Sequence, residues 1–286
     1  ANMGLDDPYN VVFFHTLLNV LQKSKYRNTI TGTPDDVNSI SLEDVKLVYD
    51  HFYHPENMFL TLTGNFNPYE MASLVEDNLS KKSFGEYLNP VVIKENEPKK
   101  VTEKYKEEYI NLTYPRIKFS VKMDMGRFKD YSKLELKLLT NLIFNINFGA
   151  TSDFKEELME KGLIQNMSVT NDIYDDTFVI TISVTSNFKE EVIKRIKEKL
   201  ENLNVNEIDF KRKKNATIAT LILDYEDVEN VSYRIQDDVL NNGGIVTNLK
   251  EILEDETLDD LNELINLYDL DNLQISAFLP KENQKE

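Results

Sequence analysis

Hydrophobic and polar residues follow one pattern twice along the chain, in residues 41–64 and 257–279. Each segment opens with a hydroxyl residue and has an acidic residue three positions later, which is typical of a capped helix start. An apolar stripe at helical spacing follows, and a short run rich in β-forming residues closes the segment. Both segments are therefore predicted to form a helix, a turn and a strand.

The two segments align position by position, with one gap before the strand. The first stripe consists of Leu42, Val45, Val48 and Phe52, and the second of Leu258, Leu261, Leu264 or Ile265, and Tyr268. Asn57 aligns with Asn272, and the predicted strand 58–63 aligns with 273–278. Copies this far apart indicate a duplicated domain, since the repeats of a solenoid follow one another directly.

The two copies are preceded by chain segments of very different length. Elements reaching back to about residue 100 precede the second copy, whereas only residues 1–40 precede the first. If the domains are alike, the first lacks a front part on the order of a hundred residues. The opening Ala1-Asn2 is typical of a cut or cloning junction. The chain is therefore expected to be a fragment, with the chemistry of the parent protein in the absent part.

Elements of the first part follow from caps and breakers. A helix with an acidic cap is predicted to start at Asp6-Asp7-Pro8, and the Ser41 helix is predicted to end at Pro55. A third helix is predicted from Pro68, with Asn67 as its cap. The predicted buried positions of the first and third helices are Val11, Phe14, Leu18 and Leu21, and Met71, Leu74, Val75 and Leu79. Periodicity is lost over residues 81–100, which contain Gly85, Pro90 and Pro98. This stretch is the predicted linker.

The second part alternates strands and helices. Strands are predicted at 101–109 and 116–123, and a hairpin of 164–169 with 177–185 turns around Asn171-Asp172. Along 116–123, Ile117 and Phe119 share one face, while Lys118, Ser120 and Lys122 are expected to form a wet face. Helices are predicted at 132–147, from Ser152 or Asp153 to Gly162, and at 188–203, 207–225 and 228–241.

The predicted fold is α+β, with two related domains of antiparallel sheet and helices packed on one side. The first domain, truncated at its N-terminus, is assigned to residues 1–80, the linker to 81–100, and the second domain to 101–286. Because the truncated domain would expose strand edges and apolar helix faces, we expect self-association in solution.

Composition excludes several classes of function. The chain has 286 residues and a formal net charge of −17, which argues against nucleic acid as a partner because phosphate binding needs a basic face. Cysteine is absent, which excludes thiol nucleophiles and Cys-ligated zinc and fits a cytoplasmic location. No apolar run approaches the ~20 residues that span a bilayer, so no membrane partner is expected.

Catalytic motifs are also missing. The sequence contains no G-x-S-x-G, no G-x-x-x-x-G-K and no G-x-G-x-x-G. The basic run Lys-Arg-Lys-Lys at 211–214 is interpreted as a solvated helix face on so acidic a chain. His15 lies in an apolar helix with Asn19 one turn later, so it is interpreted as a core or surface histidine, and a zinc ligand is the less favoured alternative.

One further metal site is conceivable at the end of the first repeat helix. His51, His54 and Glu56 could together ligate a metal ion, and this possibility stays open. However, Pro55 ends the helix between them, and the second copy has leucines at both positions that match the histidines. The favoured interpretation assigns no catalytic, cofactor-binding or metal-ligating residue to this chain.

Several strings together resemble a known family. They are Asp6-Asp7-Pro8-Tyr9, Thr31-Gly32-Thr33, Ser41-Leu42-Glu43-Asp44, Phe52-Tyr53-His54-Pro55-Glu56-Asn57-Met58 and Thr63-Gly64-Asn65. They resemble the insulinase-like or pitrilysin-like (M16) zinc metallopeptidases, and the helix before Gly162-Leu163 resembles the second, non-catalytic domain of that family. The resemblance covers essentially the whole chain and is strongest to the bacterial branch, in which the two halves are separate chains.

The resemblance implies a peptidase that encloses peptides in a chamber between two halves. The zinc motif His-x-x-Glu-His would fall in the missing front, so the zinc of the parent protein would have its ligands upstream. Where the family has an Arg and a Tyr that contact substrate, this chain has Met159 and Gln165. The chain is therefore expected to act as a scaffold and chamber wall beside a second M16-like half. The alternative is an inactive binding or assembly subunit of a peptide-processing complex.

Overall fold

The computed structural model describes residues 7–281. The helices are α1 Pro8–Val20, α2 Pro34–Ser39, α3 Leu42–Phe52, α4 Pro68–Ser80, α5 Lys133–Phe148, α6 Asp153–Glu160, α7 Lys189–Glu201, α8 Glu207–Asp224, α9 Val228–Asn242, α10 Leu249–Asp255 and α11 Leu258–Leu267. The strands are β1 Tyr105–Ile110, β2 Arg116–Asp124, β3 Asn166–Tyr174, β4 Thr177–Thr185 and β5 Leu273–Pro280. Short 3-10 turns lie at Lys25–Arg27, Pro55–Asn57 and Met125–Arg127.

The strands form one five-stranded sheet in the order β1-β5-β2-β4-β3. The β2–β4, β2–β5 and β3–β4 pairs are antiparallel, and β1 pairs with β5 in parallel. The predicted α+β class is confirmed. The hairpin is also confirmed, but its turn lies at Asp175-Asp176 and not at Asn171-Asp172. Asp175 takes the left-handed conformation with φ 53°, which a short acidic side chain tolerates in a tight turn.

One face of the sheet carries the main hydrophobic core. Ile117, Phe119, Val121 and Met123 of β2 pair with Val184, Ile182, Ile180 and Phe178 of β4, and all eight are buried. Helix α5 lies beside β3 and α11, and the Phe144 and Tyr268 ring centroids are 5.8 Å apart. A capping box of Ser132 and Glu135 starts α5, within the helix predicted at 132–147.

The opposite face of the sheet is covered by α1, so the prediction of a wet face was wrong. Ser120 and Lys122 are buried, and Lys122 Nζ donates to the backbone oxygen of Val20 at 3.0 Å, at the end of α1. The polar alternation of β2 therefore reflects a polar layer between helix and sheet. Asp7 caps α1 and Pro8 is its first residue, as predicted.

The predicted buried stripe of α1 was displaced along the helix. The buried side is formed by Val12, Thr16, Leu17, Val20 and Leu21, of which Leu21 was predicted. Leu17, Val20 and Leu21 cluster with Val179. Leu18 is exposed and Phe14 only partly buried. The sequence offered apolar residues on more than one side of this helix, and the position of the sheet selects the side that is buried.

The chain divides into two compact units. Unit 1 comprises the described parts of Ala1–Pro34, Lys94–Ile218 and Asn248–Glu286, and it contains the sheet. Unit 2 comprises Asp35–Ile93 and Ala219–Thr247. The sequence-based boundaries 1–80, 81–100 and 101–286 stay a prediction. Within residues 7–281, no helix is long and apolar enough to cross a membrane.

Unit 2 differs from the sequence prediction in its strand and its burial. Residues 58–63 form no strand, because the part of unit 2 that the structure describes has no second strand to pair with their backbone groups. Helix α4 begins at the predicted cap Asn67. However, Leu74 and Leu79 are exposed, and Met71 and Val75 are only half-buried, so the predicted core of this helix was wrong.

Candidate functional site

The second copy of the repeat is built into the sheet of unit 1. Thr257 and Asp260 form a capping box at the start of α11, with Thr257 N donating to Asp260 Oδ2 at 2.7 Å. Leu261 and Leu264 on the stripe of α11 are 0% exposed. The strand that follows is β5, which lies between β1 and β2 in the sheet. This copy shows what the repeated sequence forms when a sheet surrounds it.

The first copy has the same local structure and a different environment. Ser41 and Asp44 form the matching capping box, with Ser41 N donating to Asp44 Oδ2 at 2.8 Å. The stripe of α3 is exposed: 71% for Leu42, 53% for Val45 and 52% for Val48. In residues 58–63, the exposed apolar residues are Met58, Phe59, Leu60 and Leu62. This apolar surface of α3 and residues 58–62, the open repeat surface, is the strongest candidate interface of unit 2.

The aligned asparagines show how completely the second copy is integrated. Asn272 is buried, donates through Nδ2 to the backbone oxygens of Lys99 at 2.8 Å and Lys122 at 2.7 Å, and accepts from Val101 N at 3.0 Å. Among the described residues, the side chain of Asn57 makes a local bond, from Nδ2 to the Phe52 oxygen at 2.9 Å. Both copies have an asparagine at this position, but among the described residues the long-range hydrogen bonds are made by Asn272 of unit 1.

The loop that matches the substrate-contacting pattern of the family lies at the surface. Gly162 takes φ 65° and ends α6, with Gly162 N donating to the Met159 oxygen and Leu163 N to the Leu158 oxygen, both at 2.9 Å. Met159 and Gln165 are both exposed. A thioether and a neutral amide replace the Arg and the Tyr, so these positions supply neither a cation nor a phenol to a substrate carbonyl.

Among the candidate metal ligands of unit 2, His54 makes local contacts within the chain. His54 caps the 3-10 turn, and its Nδ1 accepts from Glu56 N at 3.2 Å. The His54 ring lies 5.7 Å from the Phe84 ring and 5.1 Å from the Tyr87 ring, measured between centroids. Within residues 7–281, no three His, Cys, Asp or Glu side chains are grouped to hold a metal ion. The described residues therefore do not fit a zinc centre.

His15 joins α1 to the edge of the sheet. Its Nδ1 lies 2.6 Å from Glu108 Oε2, and Asn19 Nδ2 donates to Glu108 Oε1 at 3.1 Å. Burial opposes ionisation of Glu108, but the hydrogen bonds from His15 and Asn19 outweigh it and lower its pKa to about 2. His15 is thus half-buried in a polar contact, which agrees with the interpretation as a structural histidine.

A buried ion pair that sequence analysis missed fastens the predicted linker to the sheet. Lys122 Nζ lies 2.6 Å from Glu97 Oε1, and the two side chains are 0% and 4% exposed. The Glu97 carboxylate also accepts from the backbone N–H groups of Gln22, Lys23 and Ser24 at 2.7–2.8 Å. Burial raises the pKa of Glu97, but the Lys122 bond and the three N–H groups outweigh it and lower the pKa to about 2. The signal in the sequence was Lys122, because a lysine within a strand of alternating apolar residues can be buried if a carboxylate pairs with it.

The basic run at 211–214 is held by acidic and carbonyl groups of unit 1. Lys211 pairs with Glu207 at 2.6 Å, and Arg212 pairs with Asp209 at 2.8 Å. Lys214 Nζ donates to the Glu256 oxygen at 2.7 Å. Because three of its four cations are paired within unit 1, the run offers little charge to an external partner.

Comparison with known proteins places the chain among peptidase-like sequences. The family model described as "Peptidase M16 inactive domain" matches residues 39–217. The uncharacterised zinc protease YmfH of Bacillus subtilis is 31% identical over 166 residues, which cover 57% of this chain and 38% of YmfH. The zinc protease PqqE of Helicobacter pylori is 21% identical over 290 residues, 96% of this chain and 63% of PqqE. The chain thus spans less than two thirds of either relative.

Solved structures share the fold at low sequence identity. An M16-like peptidase from Alicyclobacillus acidocaldarius has a TM-score of 0.87 at 22% identity, covering 98% of this chain and 67% of that one. The first half of the periplasmic protease PqqL from Escherichia coli has a TM-score of 0.74 at 15% identity, covering 96% of this chain and 63% of that one. The second likeness is to one half of a protein built from halves.

Proposed function

Because the chain belongs to the M16 peptidase family, through its inactive domain, we propose that it acts as a non-catalytic scaffold that completes a peptide-processing chamber with a second M16-like half. In this proposal, the chain forms part of the chamber wall and holds the catalytic half in place. Peptides are the substrates of the assembly, which we place in the cytoplasm.

The open repeat surface is the observation that carries this proposal. In the second copy of the repeat, β5 lies between β1 and β2, and Leu261 and Leu264 of α11 are buried. In the first copy, Val45 and Val48 are exposed. Exposed apolar residues that are grouped along one helix stripe and the following segment are typical of an interaction site. The partner expected from the repeat is an α+β body whose sheet accepts residues 58–63 as a strand.

Zinc chemistry is assigned to the parent assembly and to none of the residues 7–281. The two relatives are named zinc proteases, and the described residues of this chain offer no three-ligand group. We propose that the zinc ligands lie outside residues 7–281, in the half that carries His-x-x-Glu-His. No catalytic step is derived for the residues of this chain.

A second candidate function is an inactive subunit that binds or assembles peptide-processing partners. Met159 and Gln165 favour it, because neither can replace the substrate-contacting Arg and Tyr of the family pattern. The two functions differ in what the complete assembly does. A scaffold supports hydrolysis by its partner half, whereas an inactive assembly subunit binds the partner without peptide cleavage.

Metal content and peptidase activity of the same sample test the proposal. After dialysis, the chain alone is expected to hold no stoichiometric zinc and to leave a fluorogenic peptide library intact. Addition of a half that carries His-x-x-Glu-His is expected to give a complex with zinc and activity. About one tightly held zinc per chain, or cleavage by the chain alone, would overturn the proposal. A zinc-containing but inactive complex would favour the second candidate.

The contact surface can be tested with a matched pair of variants. Val45→Asp introduces a charge into the open repeat surface and is expected to prevent assembly with the catalytic half. Ile208→Asp introduces the same charge at a position of unit 1 that is also exposed, and it is expected to leave assembly intact. Equal assembly of both variants would show that the open repeat surface does not bind the partner.

A further inference from the structure

A polar cavity of about 770 Å³ lies at one end of the sheet in unit 1, where β2 begins and β1, β4 and β5 end. Its lining includes Tyr9, Asn111, Thr113, Tyr114, Arg116 and Asn187. The size is within the usual range of ligand clefts. The function proposed above does not involve this cavity. The side chains that line the cavity indicate which class of ligand would fit.

Arg116 is the central group of the cavity. It is the first residue of β2, and it pairs with Thr185 of β4 and Phe278 of β5. Its guanidinium carbon lies 4.0 Å from the centre of the Tyr9 ring, at the start of α1. Stacking on an aromatic face fixes the plane of the guanidinium and leaves its N–H donors at the edge. Within residues 7–281, Arg116 forms no ion pair with a carboxylate.

A second uncompensated cation lies two residues along the same face of β2. Lys118 Nζ donates to Ser183 Oγ at 2.6 Å, and no carboxylate of the described residues forms an ion pair with it. Burial, together with the charge of Arg116, lowers the pKa of Lys118 to about 8. Among the described residues, Arg116 and Lys118 are therefore two cations of β2 without a carboxylate partner, although the chain as a whole carries −17. An anion bound at Arg116 would compensate their charge.

The surroundings of Arg116 favour a carboxylate on a peptide-like ligand over a phosphate. Asn111, Thr113 and Asn187 line the same cavity as Arg116, and their exposed side chains have no hydrogen-bond partner among the described residues. Tyr114 and neighbouring prolines add apolar wall. One guanidinium with neutral donors matches a planar monoanion in bidentate geometry, whereas a phosphate dianion is typically held by several cations or a helix N-terminus.

We propose that this cavity binds the α-carboxylate at the C-terminal end of a peptide, with Arg116 as its bidentate partner and Tyr9 as the ring that holds the guanidinium in place. The apolar walls accept the last side chain of the peptide. The inference extends the proposed peptide-processing function, since it defines how a peptide end is held. It concerns binding to this chain alone, so its failure leaves the assembly experiment unaffected.

Fluorescence anisotropy of two labelled peptides tests the proposal on the complete 286-residue chain. The peptides share one sequence ending in leucine and carry fluorescein at the N-terminus. One ends in a free carboxylate and the other in a carboxamide. The free acid is expected to bind about tenfold tighter or more, because the amide loses the charge-assisted pair with Arg116. Equal affinities would overturn the proposal.

Three variants assign the effect to the cavity. Arg116→Gln is expected to abolish the difference between acid and amide, and Arg116→Lys to keep only part of it, because an ammonium cannot bind in bidentate fashion. Arg212→Gln removes a cation that is already paired elsewhere in unit 1, and it is expected to keep the full difference. Retention of the difference in folded Arg116→Gln, or displacement of the peptide by inorganic phosphate more readily than by acetate, would contradict a carboxylate site.

Discussion

The two copies of the repeat have similar sequences and opposite environments. Each begins with a hydroxyl–Asp capping box, and each carries an apolar stripe and a following apolar run. In unit 1 the stripe is buried and the run forms β5, whereas in unit 2 the stripe is exposed and residues 58–63 form no strand. Helix formation is therefore set locally by the cap and the periodicity. Strand formation and burial depend on a sheet that is present in only one unit.

The largest difference between the copies is expected for truncation of their stripes. Leu264→Ala removes a fully buried side chain and should lower the free energy of unfolding of unit 1 by about 2–5 kcal/mol. The aligned Val48→Ala should change it by less than about 0.5 kcal/mol, because Val48 is exposed. Urea unfolding followed by circular dichroism measures both values. A similar loss in both variants would show that the first copy is also packed in solution.

A second test concerns the buried ion pair that holds the other face of the sheet. Glu97→Gln leaves Lys122 buried without a countercharge and should cost about 3 kcal/mol or more of unfolding free energy. The double variant Glu97→Leu, Lys122→Met should recover much of this loss, since both charges are removed together. Urea unfolding is again the measurement. Additive losses in the double variant would contradict coupling of the two residues.

The same pair gives a pH dependence with a defined sign. The pKa of Glu97 is about 2 in the folded chain, below its ordinary value of 4.5. Its contribution is therefore complete above pH 4.5 and is lost as the pH falls towards 2. The stability difference between the unchanged chain and Glu97→Gln should shrink over that interval. A difference that stays constant from pH 6 to pH 2 would argue against an ionised Glu97 in the fold.

Self-association of the chain should depend on the exposed first copy of the repeat. Val45→Asp is expected to weaken association of the chain with itself about tenfold, because a charge would have to be desolvated at the contact. Light scattering over a concentration series measures this, and Ile208→Asp serves as the control at another exposed aliphatic residue. A clean monomer at all concentrations of the unchanged chain would remove the basis for this prediction.

The smallest expected effect is the loss of a helix cap, and it should be equal in the two copies. Ser41→Ala and Thr257→Ala each remove a capping box and should destabilise their own helix by about 1 kcal/mol. Hydrogen exchange of amides in α3 and α11 measures the local loss. If only one helix lost protection, the other helix would be shown to be maintained by burial and not by its cap alone.

Sequence analysis predicted what depends on near neighbours in the chain. Caps at Asp7, Ser41, Asn67 and Thr257, and the glycine Gly162 at the end of α6, are all present. The M16 resemblance was confirmed by the family match. These features follow from propensity and short-range hydrogen bonds, which a single sequence states directly.

The errors concern partners that are distant in sequence. The polar side of β2 was assigned to solvent because alternation shows that a face is polar and does not show what covers it. Helix α1, about a hundred residues earlier, covers that face and brings Val20 to Lys122. Distant partners also decide the environment of the α3 stripe, which is exposed because an apolar face does not guarantee a partner in the same chain. The cavity at Arg116 depends on four strand ends and could not be found from spacing.

Amide hydrogen exchange of the two aligned strand segments tests the central claim most directly. In the dilute chain, the amides of residues 58–63 are expected to exchange without protection, while those of Leu273–Pro280 are protected by the sheet. Binding of a second M16-like half should then protect residues 58–63. If these residues are already protected as strongly as β5 in the dilute, monomeric chain, they are paired in the chain itself, and the open repeat surface is not the site that receives a partner.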